Sequence, residues 1–356
     1  MSTISQLAKL FQGKRVFIPL LIGLGVAVVM IVYDFDPKAL NEIQWGRGST
    51  LWILLAIVFM LFRDFGYILR LRILSDRLLS WKQSFQLTFL WEFASAISPG
   101  IIGGTAAAFV LLAQEKIGTG RSTAIVLATS FLDVLFYVLL VPILLAFTGV
   151  INQVPSIQLP SGNISSSVIL WYFGISYLVL LSWAVFVFVM LFFRPKILGN
   201  ILKVIFSLPI LKKWSHKAGE WEHELVETSR QYGSKSYKFW LKSFGATVFS
   251  WTARFAVVNC IILAFGADAN HFDVYVRQLI MWCILLLPVT PGASGLAEAI
   301  FPAFLQPFFP NFSLAKIGAV LWRVISYYPY LIIGFVLFPI WIKRIISSRR
   351  ATRQEA

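Results

Sequence analysis

Ser98-Pro99-Gly100-Ile101-Ile102-Gly103-Gly104-Thr105-Ala106-Ala107-Ala108-Phe109 and Thr290-Pro291-Gly292-Ala293-Ser294-Gly295-Leu296-Ala297-Glu298-Ala299-Ile300-Phe301 share one pattern. It reads Ser/Thr-Pro-Gly-x-x-Gly-x-x-x-Ala-x-Phe, and the copies are 192 residues apart. Each Pro-Gly interrupts a longer apolar region, 83–115 in the first copy and 275–306 in the second. The halves are about 15 residues each, or ~22 Å of helix against a bilayer core of ~30 Å. Both regions therefore read as re-entrant helical hairpins rather than as spans.

The same offset carries the apolar run 50–71 onto 242–263 and the run 120–148 onto 312–340. Span, hairpin, span thus occurs twice. An odd number of crossings separates the copies, so the second hairpin enters from the opposite side. That is an inverted-topology repeat, with a binding site expected where the broken helices meet. The chemistry of helix ends suits such a site. Ser or Thr before Pro serves as an N-cap, Pro costs nothing in the first turn, and glycine lets a ligand approach closely. Free N–H groups at a helix start favour an anion. The binding groups expected at the breaks are Ser98, Gly100 and Gly103 in the first copy, and Thr290, Gly292, Ser294, Gly295 and Glu298 in the second.

Composition sets the class. Of 356 residues, 58% are hydrophobic, 16% aromatic and only 13% charged, with a mean hydropathy of +0.78. A soluble globule needs a more polar skin, so the chain is expected to be an all-α polytopic membrane protein. Continuous apolar runs exclude an outer-membrane barrel, and two cysteines inside apolar runs, Cys260 and Cys283, exclude a disulfide scaffold. Six runs are long enough to cross: 16–33, 50–71, 120–148, 168–193, 239–265 and 313–342. No small-residue cleavage site follows the first, so it reads as a span.

The net charge of +15 is distributed as a topology signal, not as a nucleic-acid footprint. The segments placed in the cytoplasm hold 22 of the 31 Lys and Arg residues, and the external loops only Lys38 and Arg47. Both termini are therefore expected in the cytoplasm. The domain reading is one membrane domain over 1–345 and a basic cytoplasmic tail, 346–356. Within it lie repeat one at about 50–148, repeat two at about 239–342, and a cytoplasmic connection, 194–238. In that connection Trp214, Ala218, Trp221, Leu225, Thr228 and Tyr232 recur at helical steps, predicting an amphipathic helix on the membrane surface or against the spans.

Ionisable residues at membrane depth are costly and therefore candidates for function. They are Arg63, Asp64, Glu92, Asp133, Arg254, Glu298 and Arg323. Arg63, Arg254 and Arg323 are the expected phosphate or headgroup contacts, because guanidinium forks match phosphate oxygens. Asp64, Glu92 and Asp133 are expected as coupling or charge partners. The competing reading is that three Arg and four acids simply pair to orient helices. Arg63 and Asp64 are adjacent and point in different directions, so they are not expected to pair with each other.

Other signals carry less. Gly292-Ala293-Ser294-Gly295 matches the G-x-S-G of an intramembrane serine protease, but His216, His223 and His271 all precede it and none lies in a span. His216, Glu220, His223 and Glu227 share helical spacing and read as a solvated stripe rather than a metal site. Asn163-Ile164-Ser165 and Asn311-Phe312-Ser313 match the glycosylation sequon by coincidence. No cofactor and no metal are implied.

Three stretches resemble the lysylphosphatidylglycerol synthase transmembrane (flippase-like) family. They are Ile68-Leu69-Arg70-Leu71-Arg72-Ile73-Leu74, Ser98-Pro99-Gly100-x-x-Gly103, and Thr290-Pro291-Gly292-x-x-Gly295-x-x-Glu298, the last being the most specific. The resemblance covers roughly 10–345. It implies a multispan domain that moves or binds anionic or aminoacylated lipids in the cytoplasmic (inner) membrane, with a separate lipid synthase as a conceivable partner. In multidomain members it precedes a soluble aminoacyltransferase. The sequence stops shortly after its last span, so that domain is not expected here. The chain also departs from the family pattern. Ile101, Thr105 and Ala108 stand where the family's first break usually carries Arg, Glu and Arg, and no basic residue lies near Ser130. The expected function is translocation of an anionic or aminoacylated phospholipid, or of a polyprenyl-phosphate lipid. The alternatives are an intramembrane lipid-modifying enzyme and a non-transporting subunit of a lipid synthase.

Overall fold

The computed structural model describes residues 46–354 except 99, 116, 150–153, 160–161, 201–217, 288–291 and 294. Helix α1 (Arg47–Leu74) is followed by a pair, α2 (Trp81–Ile97) and α3 (Gly100–Ala113), and then by α4 (Thr119–Phe147). Helix α5 (Ser166–Phe188) runs on through a π-helical turn, Val189–Phe193. Then come α6 (Ala218–Gly233), α7 (Tyr237–Ala264), a second pair, α8 (His271–Leu285) and α9 (Leu296–Leu305), and finally α10 (Phe312–Ser326) and α11 (Tyr328–Gln354).

Five helical segments are long and apolar enough to cross a membrane: α1, α4, α5 with its π turn, α7, and α10 continued by α11. They coincide with five of the six expected spans. The sixth, 16–33, lies outside the described residues. The shorter helices fall where the interrupted regions were read, and each pair packs partner against partner. Starts are set by local chemistry. Ser80 and Gln83 form a capping box at α2, while Ser165, Asn270 and Asn311 accept backbone N–H groups at the starts of α5, α8 and α10.

Three local expectations need correction. The last span is not one continuous helix but is interrupted at Tyr327 (φ −130°, ψ −57°). Pro329 explains this, since it lacks the N–H that would bond one turn back and it crowds the preceding residue. The external stretch read as a loop contains a small antiparallel ladder, Ile157–Leu159 (β1) with Gly162–Ile164 (β2), pairing Ile157 with Ile164. The second break is much wider than the first: α2 and α3 are two residues apart, whereas α9 begins only at Leu296.

The amphipathic helix is α6, and its apolar stripe faces the spans. Leu225, Thr228 and Tyr232 are buried, whereas Glu220, His223 and Glu227 are exposed. Gly120 at the start of α4 meets the α6 backbone at Trp221 and Leu225, and Tyr232 donates from its hydroxyl to the carbonyl of Leu74 at 2.7 Å. Burial pushes the Tyr232 phenol up, so it stays a donor.

Helices α1 and α7 pack tightly and run antiparallel. The Ser250 hydroxyl donates to the Arg63 carbonyl at 3.0 Å, and the Arg70 guanidinium to Thr247 at 3.1 Å. Between these contacts the helices touch at Gly66, where an added Cβ would lie 2.1 Å from Ser250 Oγ and 3.0 Å from the Ala246 carbonyl. Small residues allow such close approach in membrane proteins. Gly66→Leu should therefore destabilise the protein by about 1–3 kcal/mol, as overpacking does. The melting temperature of the detergent-solubilised variant checks this, and a wild-type value would mean the crossing is looser than described.

Candidate functional site

A cavity of about 280 Å³ lies among the described helices and draws its walls from both short-helix pairs and from α1, α4, α7, α10 and α11. Helix α1 contributes Arg63, Tyr67 and Arg70, at steps of four and three, and so on one face. On α4 the same logic aligns Thr129, Asp133 and Tyr137, and on α7 it aligns Trp251 and Arg254. The first pair adds Glu92, Ser95 and Thr105, the second Trp282, Gly292 and Ala297, and the last helices Arg323, Tyr327 and Tyr330. Aromatic rings and arginines thus form much of the wall.

Three of the four lining arginines are neutralised. Arg63 is 1% exposed. It contacts Asp64 at 2.8 Å and Glu92 at 2.6 Å, donates to the Tyr330 hydroxyl at 2.9 Å, and stacks on the Tyr67 ring at 4.4 Å. Tyr330 in turn donates to Asp64 at 2.7 Å. The expectation that Arg63 and Asp64 would not pair is therefore wrong. Tyr330 and Glu92 draw the guanidinium toward the carboxylate's side, a tertiary effect that helix spacing alone does not contain. Arg70 binds Asp133 through two parallel hydrogen bonds of 2.6 and 2.9 Å, the strong geometry for this pair. Trp251 Nε1 also donates to Asp133, at 2.9 Å.

The third pair belongs to the second break. Arg323 Nε donates to Glu298 Oε1 at 2.7 Å and Arg323 Nη2 to the Gly292 carbonyl at 2.9 Å. The other Glu298 oxygen accepts the Gly295 N–H at 2.7 Å. Glu298 thus caps α9 from within its first turn and is 3% exposed, behind the cavity wall. Gly292 and Gly295 have φ of +57° and +87°, which glycine reaches without strain. Gly292 also lies against the Tyr327 ring, where a Cβ would come within 2.3 Å.

Arg254 differs. It lies 191 residues after Arg63, one short of the 192-residue spacing of the Pro-Gly motifs, and Phe255 follows it where Asp64 follows Arg63. Its guanidinium lies over the rings of Trp282, at 4.6 Å, and Trp251, at 5.1 Å. Among the described residues it has no carboxylate within salt-bridge distance, and its Nε is buried without a hydrogen-bond partner.

Of the residues singled out by sequence, Arg63, Arg254, Arg323, Glu92, Asp133 and Gly292 meet at the cavity. Asp64, Glu298 and Gly295 stand behind it as partners. Thr290 and Ser294 lie outside the described residues. Ser98 lies at the end of α2, just before the start of α3. Its hydroxyl donates back to the Ala94 carbonyl, and Gly103 makes room for it, since a Cβ there would meet Ser98 Cβ at 2.4 Å. Gly100 opens α3. The start of α9 is not an open anion site, because Glu298 already occupies it. Arg70 and Tyr137 were missed. Arg70 sits at the expected end of a span and reads as a boundary charge, although its seven-residue step from Arg63 places both on one face. Of the histidines, His223 is exposed on α6 and His271 is hydrogen-bonded to Asn259 at 2.9 Å. Neither lines the cavity.

Residues 16–334 match the family described as Lysylphosphatidylglycerol synthase TM region. A membrane protein of Archaeoglobus fulgidus, described as a UPF0104 membrane protein, is 25% identical over 325 residues, covering 88% of this chain and 93% of that protein.

Proposed function

We propose, for a chain that belongs to the lysylphosphatidylglycerol synthase transmembrane-region family, that it carries a phosphate-bearing lipid headgroup across the cytoplasmic membrane through the cavity between its repeats. The cargo is an anionic or aminoacylated phospholipid, or a polyprenyl-phosphate lipid. Its acyl chains stay in the bilayer while the headgroup crosses. The single observation that carries this reading is Arg254, a cation in an aromatic wall that makes no salt bridge among the described residues. A guanidinium at membrane depth is expensive unless paired, and a bound oxyanion supplies the pair.

The two pairs α2–α3 and α8–α9 are read as re-entrant hairpins entering from opposite sides, and residues 16–33 as the sixth span. The antiparallel packing of α1 on α7 supports this inverted arrangement, and rocking of one repeat against the other would open the cavity to either side in turn. With both termini in the cytoplasm, a membrane-impermeant maleimide should label Asp268→Cys in intact cells and Arg230→Cys only after permeabilisation. Both positions are exposed, and the native Cys260 and Cys283 are buried. The reverse pattern would invert the topology.

Function is tested in sealed proteoliposomes of the purified chain, following transbilayer movement of labelled phosphatidylglycerol against protein-free vesicles. Movement of the headgroup supports a flippase. Chemically altered lipid would point instead to an enzyme, and bound but unmoved lipid to a synthase subunit.

A further inference from the structure

Tyr137 lies beside Arg254 in the cavity wall. Its ring is fully buried, and its hydroxyl is a buried polar atom without a partner among the described residues. The ring meets Trp251 edge-on at 5.0 Å, and Trp251 is also one of the two rings under the Arg254 guanidinium. One turn and two turns back on the same face of α4 are Asp133 and Thr129, both lining the cavity. Asp133 is taken by Arg70, whereas the Thr129 hydroxyl is, like that of Tyr137, buried without a partner. Packing alone does not call for a phenol here, because phenylalanine would fill the same space without burying an unmatched donor. The oxygen is explained by a ligand.

We propose that Tyr137 and Arg254 form an oxyanion subsite on the Trp251–Trp282 wall, the guanidinium supplying charge and the phenol a second, neutral donor. The group that fits is a phosphate, whose several oxygens can accept from both at once. Thr129 lies on the approach to this subsite as a further donor. The assignment rests on the headgroup reading for its biological cargo, but not for its chemistry, since a free phosphate presents the same oxygens. Sequence reasoning passed over Tyr137 as one aromatic among many in an apolar span.

The test is binding to the purified full-length protein in detergent, read by tryptophan fluorescence, since Trp251 and Trp282 border the subsite. Inorganic phosphate and dihexanoyl-phosphatidylglycerol are titrated separately. Wild type should show saturable binding of the lipid, weakened about tenfold by Tyr137→Phe, the loss of one hydrogen bond to a charged group. The melting temperature of that variant should not fall, because its ring packing is intact. In an Arg254→Gln background, Tyr137→Phe should cost clearly less than tenfold, because the two donors serve one anion. Equal affinity of wild type and Tyr137→Phe for both probes would overturn the subsite. Binding of inorganic phosphate alone, with the same dependence on Tyr137, would keep the subsite and make its occupant a soluble anion. Tyr137-dependent lipid binding without transport in vesicles would keep the subsite and refute translocation. Transport and binding untouched by Tyr137→Phe would refute the subsite and leave translocation standing.

Discussion

Arg254→Gln is expected to lower headgroup movement in proteoliposomes about a hundredfold while leaving the protein folded and monodisperse. The size follows from losing a charged hydrogen-bonding contact, for which about 1.5–3 kcal/mol is typical, together with its Coulomb attraction, at a tenfold per 1.4 kcal/mol. Folding should survive because no carboxylate of the described protein is salt-bridged to this guanidinium, and Glu92 keeps its direct partner Arg63. Its contacts are the faces of Trp251 and Trp282, which glutamine leaves in place. Arg254→Lys should fall between, keeping the charge but losing the planar fork and much of the stacking. The comparison with Arg63→Gln is decisive. Arg63 lines the same cavity but is held by Asp64 and Glu92, so its loss should appear first as instability. Wild-type transport by Arg254→Gln would remove the observation on which the function rests.

Glu298 and Arg323 should behave in the opposite way, as a structural pair whose single variants misfold. Both are buried, at 3% and 6% exposure, and breaking a buried pair by removing one partner costs about 3–5 kcal/mol because the other charge is stranded. Arg323→Ala also frees the Gly292 carbonyl. Glu298→Gln can still accept the Gly295 N–H but leaves Arg323 unpaired. The double variant Glu298→Gln/Arg323→Met should melt closer to wild type than either single variant, since no lone charge remains. Melting of the detergent-solubilised protein reads all three. If both single variants melt like wild type and transport nothing, the pair belongs to the ligand site, as the sequence alone suggested.

The different weights now given to the three arginines show what tertiary contact adds. By sequence, Arg63, Arg254 and Arg323 are equivalent: one guanidinium each, at similar depth, with acids nearby in number but not assignable. In the structure, Arg63 is held by two carboxylates and a tyrosine, and Arg323 ties together a loop and a helix start. Arg254 alone of the three faces the cavity without a salt bridge among the described residues. One part of this was legible. Phe255 follows Arg254 where Asp64 follows Arg63, so part of the asymmetry of charge is written in the sequence. Pro329, which breaks the last helix at Tyr327, lies in a run that reads as one span by hydropathy alone.

The sequence by itself determined the membrane class, the positions of five described spans and the two interrupted regions. These follow from run length, from the cost of burying charge in lipid, and from proline and glycine at helix ends, all local along the chain. Only the tertiary structure decided which charges cancel, that Glu298 closes the helix start it was expected to leave open, and that the Tyr137 hydroxyl is left over. Partnership between side chains depends on which helix faces meet and at what height. Those quantities are set by packing at contacts such as Gly66 against Ser250, between residues far apart in sequence.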